Sequence, residues 1–207
     1  MIRKQLPLVL LATGSLALAW AFSKLASEML EGELVALDAA VRTWVHLHRS
    51  PVATAIFRVI TIVGAKEVLA PIAAVVGWRL FRGTKTLFAM LAFAAIAAGE
   101  FVALLKREFH VGRPAGGIAA HLGYSFPSGH TTGSTAVALL FGYIALRQRV
   151  HPRIIIPVCL AIAILVGVSR VYLDMHWAAD VLGGWLVGGA FGVGCCAIYE
   201  IMHRRMD

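Results

Sequence analysis

Charge is what this chain of 207 residues has least of: Asp, Glu, Lys and Arg make up 14%, against 59% hydrophobic residues and a mean hydropathy of +0.80. Such a chain cannot cover its apolar surface with polar groups in water. That excludes an ordinary soluble globular protein and makes lipid its solvent. Cysteine is also scarce. Cys159, Cys195 and Cys196 lie inside apolar runs and lack the spacing of a disulfide framework or a metal site, so they read as small buried apolar side chains. No repeat, low-complexity tract or long linker divides the sequence, and a single domain over residues 1–207 is expected. Acidic residues number 11 against 19 Lys and Arg, for a net charge of +8. The basic residues fall in small groups between apolar runs rather than in one stripe or tail. This argues against a nucleic-acid partner and fits membrane topology.

What is present in abundance is apolar sequence. A membrane-spanning helix needs about 20 mostly apolar residues, and six runs approach that length: Leu6–Ser23, Val68–Leu80, Thr84–Leu105, Gly129–Leu146, Ile154–Val168 and Trp177–Ile201. The expected fold is therefore all-α, a polytopic bundle of six transmembrane helices. The first run follows Arg3-Lys4 and contains Ala17-Leu18-Ala19, as a cleavable signal would. Its length, and the odd number of spans its loss would leave, favour a retained helix. Arg3 and Lys4 precede the first run; Arg79, Arg82 and Lys85 separate the second and third. Arg147, Arg149 and Arg153 separate the fourth and fifth, and Arg204 and Arg205 follow the sixth. Apart from Asp207 these segments hold no acidic residue, so the positive-inside rule puts them, with both termini, in the cytoplasm.

The segments around 24–66, 107–128 and 169–176 then face outward. In the first of them Leu30, Leu34, Leu37, Val41, Val45 and His48 recur at spacings of three and four, with Glu31, Glu33, Asp38 and Arg42 on the other face. This predicts a short amphipathic helix lying at the outer interface, a connector in which Asp38 and Arg42 form an i,i+4 pair.

The outer segments also hold cations that the orientation rule would rather place inside: Lys106, Arg107, Arg113 and Arg170. Charges at a membrane boundary are costly without partners, so they point to function. Three cations that cannot neutralise one another require an anion, and a phosphate monoester, with about two negative charges near pH 7, suits arginine forks and a lysine point charge. Pro127-Ser128-Gly129 immediately precedes the fourth run, which sets the positive end of a helix dipole and backbone N–H groups at the same place. Ser128 offers a hydroxyl or a helix cap, and Gly129 lets backbone approach an oxyanion. His176 and Asp180, four apart, share a helical face. The carboxylate can hold the imidazole in the tautomer whose far nitrogen is free to attack. His130 stands where it can protonate a leaving alkoxide. Each element is weak alone; their joint occurrence in order, each at an outer helix end, is the signal.

These three blocks, Lys106-x6-Arg113-Pro114, Pro127-Ser128-Gly129-His130 and Ser169-Arg170-x5-His176-x3-Asp180, strongly resemble the signature of the type 2 phosphatidic acid phosphatase family. They match without gap or substitution over residues 106–180. The six apolar runs favour its membrane lipid phosphatase branch over the soluble vanadium haloperoxidases. The resemblance implies that Lys106, Arg113 and Arg170 bind phosphate, with Ser128 and Gly129 completing the cradle. It implies His176 as nucleophile, His130 as acid and Asp180 as the group that orients His176. It implies neither cofactor nor metal ion, in keeping with the lack of a carboxylate cluster in the sequence.

Other residues take plainer readings. Arg107, Glu108 and His110 read as solvated or structural, and Asp174 as a loop hydrogen-bonding group. His121 and Tyr124 are candidates for headgroup contact, while Gly184, Gly188 and Gly192 mark close helix packing inside the fold rather than between two copies. The expected partners are the bilayer and a phosphorylated lipid. The short loop between Pro114 and Pro127 leaves little protein to specify a large headgroup. It favours phosphatidylglycerol phosphate or phosphatidic acid, handled by a bacterial inner-membrane enzyme, with undecaprenyl pyrophosphate as the alternative. An anion or lipid transporter would place its site near the bilayer midplane and show internal symmetry; an inactive lipid-binding scaffold would have lost one of His130, His176 or Asp180.

Overall fold

Backbone in hydrocarbon has no water to bond, so an apolar run stays in lipid as a helix or a closed barrel. In the computed structural model, which describes residues 2–81, 85–117 and 119–204, every regular element is helical. The helices are α1 (Ile2–Leu30), α2 (Val35–Leu47), α3 (Pro51–Val63), α4 (Lys66–Leu80), α5 (Lys85–Phe109), α6 (Gly129–Gln148), α7 (Pro152–Tyr172) and α8 (Ala178–Arg204). Within α1, α5, α7 and α8, the stretches Pro7–Leu30, Ala89–Phe109, Pro152–Tyr172 and Ala178–Met202 are each long and apolar enough to cross a membrane; α3 and α4, bent by 66°, qualify only together. Arg82 and Arg205, part of the expected topology signal, lie outside the described residues.

The six expected runs fall on helices, except that Thr84 lies outside the described residues and Trp177 precedes α8, and the helices are longer than the runs. α1 continues to Leu30 and α5 to Phe109, which brings Lys106 into a helix. One element was missed: α3, whose apolar stretch is split by Arg58 and preceded by a helix-starting Ser50-Pro51. The Ser50 hydroxyl accepts from the Ala53 N–H at 3.1 Å and so caps it. α3 breaks at Gly64 and Ala65, where α4 begins.

α6 occupies the centre, packed by α4, α5, α7 and α8, while α1 covers α8 and α3 leans on α7. The first half of α6, Gly-His-Thr-Thr-Gly-Ser-Thr, is polar yet largely buried. A helix surrounded by others need not be apolar toward lipid, and its hydroxyls bond its own turns: Thr132 Oγ1 donates to the Ser128 carbonyl at 2.9 Å and Thr135 Oγ1 to that of Thr131 at 2.7 Å. α6 and α8 run parallel, joined by the glycine row. A β-carbon at Gly184 would lie 2.9 Å from the Ser128 carbonyl oxygen, at Gly188 2.5 Å from that of Thr132, and at Gly192 2.9 Å from that of Ala136. The row thus packs inside the fold, as expected. Gly188→Ala should force the two helices apart and lower stability by about 1–3 kcal/mol, read as a lower thermal unfolding midpoint in detergent; an unchanged midpoint would contradict this packing. At the other end of α8, the buried Glu200 carboxylate accepts from Tyr143 Oη at 2.8 Å and pairs with Arg147 Nε at 3.0 Å. The parallel run of α6 and α8 puts their N-termini beside the C-termini of α5 and α7, and the three sequence blocks collect at that end.

Candidate active site

Two loops and four helix ends build the site. The Phe126 ring, fully buried, anchors the loop before α6: it stacks on Phe22 at 5.6 Å between centroids and meets Phe109 edge-on at 5.1 Å. The Phe126–Pro127 peptide bond is cis. Ser125 is also fully buried, and its hydroxyl lies 3.1 Å from the Val111 and Gly112 carbonyls and 3.2 Å from Asp180 Oδ1. Loop 110–128 is thereby fastened to the start of α8.

Asp180 is fully buried and His176 is 3% exposed. Asp180 Oδ2 lies 3.0 Å from His176 Nδ1 and accepts the Trp177 N–H at 2.9 Å. A carboxylate only accepts, so Nδ1 carries the imidazole proton and Nε2 keeps its lone pair. Nε2 faces Arg113 Nη1 at 3.2 Å, and that guanidinium is fixed by donating to the Met175 carbonyl at 2.7 Å. Burial, reinforced by the charges of Arg170, Arg113 and Lys106, holds His176 well below the usual histidine value. This favours the neutral imidazole, the form a nucleophile needs.

Arg170 donates from Nη1 to Thr61 Oγ1 of α3 at 2.7 Å. Among the described residues Lys106, Arg113 and Arg170 form no ion pair, and the Nε atoms of both arginines are buried without a hydrogen-bond partner. Buried unpartnered donors are costly, and their chemistry is that of an anion site. Burial also draws Arg113 down from its usual value. His130 and Lys106 line one side of a cleft of about 240 Å³ between α4, α5 and α6, whose walls include Lys66, Gly99, Val102 and Gly133. His130 packs under the α3–α4 break, where a β-carbon at Gly64 would sit 3.2 Å from its own.

The structure thus brings Lys106, Arg113, Ser128, Gly129, His130, Arg170, His176 and Asp180 to one end of the bundle, with two differences from expectation. The Ser128 N–H is committed to the Asp180 carbonyl at 2.9 Å, so it is not a free cradle donor. Nor does the Ser128 side chain cap α6; its Oγ accepts from Thr131 Oγ1 at 3.0 Å, leaving its own proton for another acceptor. A β-carbon at Gly129 would meet Val102 Cγ1 at an ordinary 3.6 Å, so packing alone does not demand glycine there. His121 and Tyr124 are exposed, and the Tyr124 carbonyl accepts from Arg113 Nη2 at 3.4 Å. Among the described residues no group of three or more His, Cys, Asp or Glu is arranged to hold a metal ion.

One expected contact of α2 differs. Asp38 and Arg42 do not pair. Arg42 donates from Nε and Nη2 to Asp174 at 2.8 and 3.0 Å, and Asp38 Oδ1 accepts the Ala179 N–H at 2.9 Å. The polar face of α2 turns toward the protein, because the N-terminus of α8 and the loop before it need partners, while Val35, Trp44 and Leu47 are exposed.

Comparison with known proteins agrees with this geometry. The model of the PAP2 superfamily matches residues 83–206. Phosphatidylglycerophosphatase B of Bacillus subtilis is 30% identical over 157 residues, covering 73% of this chain and 77% of that protein. An undecaprenyl-diphosphatase of Sulfolobus acidocaldarius is 39% identical over 67 residues, 31% of this chain and 29% of that protein. Among solved structures, the transmembrane PAP2-type phosphatidylglycerolphosphate phosphatase from Bacillus subtilis superposes with a TM-score of 0.83 at 26% identity, covering 91% of this chain and 97% of that one. LpxE of Aquifex aeolicus shares the fold at a TM-score of 0.58 and 24% identity, over 80% of this chain and 95% of that one. Since the matched stretch contains every residue of the three converging blocks, and 91% of the chain follows a solved member, the chain belongs to the PAP2 superfamily, among its membrane lipid phosphatases.

Proposed function

We propose that this protein hydrolyses the terminal phosphomonoester of phosphatidylglycerol phosphate, and of similar diacyl lipids such as phosphatidic acid, through a phosphohistidine on His176. The observation that carries the proposal is the His176 imidazole itself, with Nδ1 on Asp180 and Nε2 at 3.2 Å from Arg113. In this reading Lys106, Arg113 and Arg170 hold the phosphate oxygens, with the Ser128 hydroxyl and the backbone at Gly129 alongside, and no metal ion takes part. The Nε2 lone pair attacks phosphorus while the bond to the leaving oxygen breaks. That oxygen takes its proton from His130. A water then attacks the phosphohistidine, giving a proton to His130; the P–N bond breaks and phosphate departs. Neutralisation of the charge spread over the phosphoryl oxygens supplies most of the rate.

The cleft beside His130 lies on the leaving-group side, and we assign it to the body of the lipid. We further propose six spans: α1, the bent pair of α3 and α4 with α4 as its transmembrane part, α5, α6, α7 and α8. α6 belongs to this set despite its polar first half because that half is covered by neighbouring helices. With Arg79, Arg147, Arg149, Arg153 and both termini cytoplasmic, the site faces the outer side of a bacterial inner membrane. Undecaprenyl pyrophosphate is the second reading, supported by the similarity of 67 residues to the archaeal undecaprenyl-diphosphatase. Phosphate release from a panel of phosphatidylglycerol phosphate, phosphatidic acid, undecaprenyl pyrophosphate and lipid A phosphates decides between them. Highest kcat/KM on phosphatidylglycerol phosphate is expected; preference for the pyrophosphate would select the second reading, and no release from any would point to transport or scaffolding.

A further inference from the structure

α2 presents Asp38, Arg42 and His46 at four-residue spacing on one face, and all three reach the segment that carries His176. Asp38 accepts the Ala179 N–H in the first turn of α8, where helix donors lack partners of their own. Arg42 forks onto both oxygens of Asp174, donates from Nη2 to the Ala115 carbonyl at 2.6 Å and lies 5.5 Å from the centroid of the Trp177 ring. His46 Nε2 adds a contact to Asp174 Oδ2 at 3.2 Å. Asp174 is buried in a left-handed conformation, φ 58°, a region uncommon for residues other than glycine, though Asp enters it more readily than most. Burial works against its carboxylate, yet the Arg42 hydrogen bonds and charge, with His46, outweigh it and hold the carboxyl below its ordinary value. Gly117 completes the contact, since a β-carbon there would overlap the Asp174 carbonyl oxygen.

One guanidinium therefore ties the chain two residues after Arg113 to the chain two residues before His176. Apart from Asp38, only Val45 of α2 is buried, so this helix is fastened to the site chiefly through polar contacts. We infer that Arg42, with Asp174 and Asp38, forms a clamp from the outer helix that sets the separation of His176 from Arg113, making Arg42 a positioning residue for the phosphoryl transfer. Arg42 touches neither phosphorus nor the leaving group in this scheme. It acts through the two loops, and the inference rests on the phosphatase reading above.

The test uses the full-length protein in detergent with phosphatidylglycerol phosphate, or with the lipid of the panel that the wild type hydrolyses best; absence of phosphate release by the wild type from every lipid of the panel would sink the phosphatase reading itself, separately from the clamp. Arg42→Ala and Asp174→Ala should each lower kcat by about 10- to 100-fold with KM little changed, the range expected for a misplacement near 1 Å. The double variant should be no slower than the slower single one. Arg42→Lys should recover only part of the rate, because an ammonium cannot fork. Inhibition by orthovanadate, which adopts the five-coordinate geometry of the transferring phosphorus, should weaken by the same factor as kcat, while inhibition by inorganic phosphate stays constant. Wild-type kcat in Arg42→Ala overturns the inference. So does an activity loss matched by loss of folded protein with vanadate inhibition unchanged, which would make the clamp a stabilising contact only. A loss of phosphate affinity as large as the loss in kcat would move Arg42 into anion binding and overturn it as well.

Discussion

Replacing His176 with alanine is expected to lower phosphate release by at least about 10⁴-fold, the scale on which loss of a nucleophile is felt in enzymes that form a covalent intermediate. The expectation follows from how completely this imidazole is committed. It is 3% exposed, its Nδ1 is spent on Asp180 and its Nε2 faces Arg113, so no water-exposed role remains for it. The loss should appear in kcat, because the cations proposed to bind the lipid phosphate are untouched and KM should move little. Steady-state phosphate release across a range of lipid concentrations, with folding checked by thermal midpoint, measures this. A folded His176→Ala protein with wild-type turnover would remove the nucleophile from the scheme.

The next largest effect should come from Arg170. Its Nη1 is anchored on Thr61 Oγ1 and its Nε is buried without a partner, so the side chain is held in place with part of its donor fork unused. Arg170→Ala removes both the charge and the fork and is expected to cost about 10³-fold in kcat/KM, the upper part of the range for one oxyanion-type donor. Arg170→Lys separates the two contributions. It restores the charge but not the planar pair of donors, and a residual deficit of about 10²-fold is expected. Full recovery by lysine would show that charge alone matters here. A small effect in the alanine variant would take Arg170 out of the phosphate cradle.

The placement of these groups was legible in the sequence because chemistry of this kind demands rare residue types in rare surroundings: cations, histidines and an aspartate at the ends of apolar runs. The all-helical architecture was legible for the same reason, since a long apolar run in lipid has few alternatives to a helix. The glycine row of α8 was readable from its spacing alone. What stayed hidden depended on partners far away in the chain. The turn arithmetic that puts Asp38 and Arg42 one helical turn apart says nothing of Asp174, 132 residues beyond Arg42, which takes the guanidinium instead. The amphipathic pattern of α2 pointed to an interfacial helix, but it could not show that the polar face serves the N-terminus of α8 and the loop before it. α3 escaped because Arg58 interrupts its apolar stretch, which is too short to qualify as a span without α4. Ser128 shows the same limit on a smaller scale. Its motif fits an anion cradle, but only the fold reveals that its N–H already serves the Asp180 carbonyl.

The account stands on phosphorus becoming bonded to one particular nitrogen. Brief exposure of the purified protein to phosphatidylglycerol phosphate radiolabelled in its terminal phosphate, quenched in alkaline detergent to preserve an acid-labile phosphoramidate and followed by peptide mapping, tests this directly. The account predicts label on the peptide containing His176, lost on mild acid treatment and absent from His176→Ala. Turnover at the wild-type rate with no label on that peptide, or acid-stable label on another residue, would contradict it.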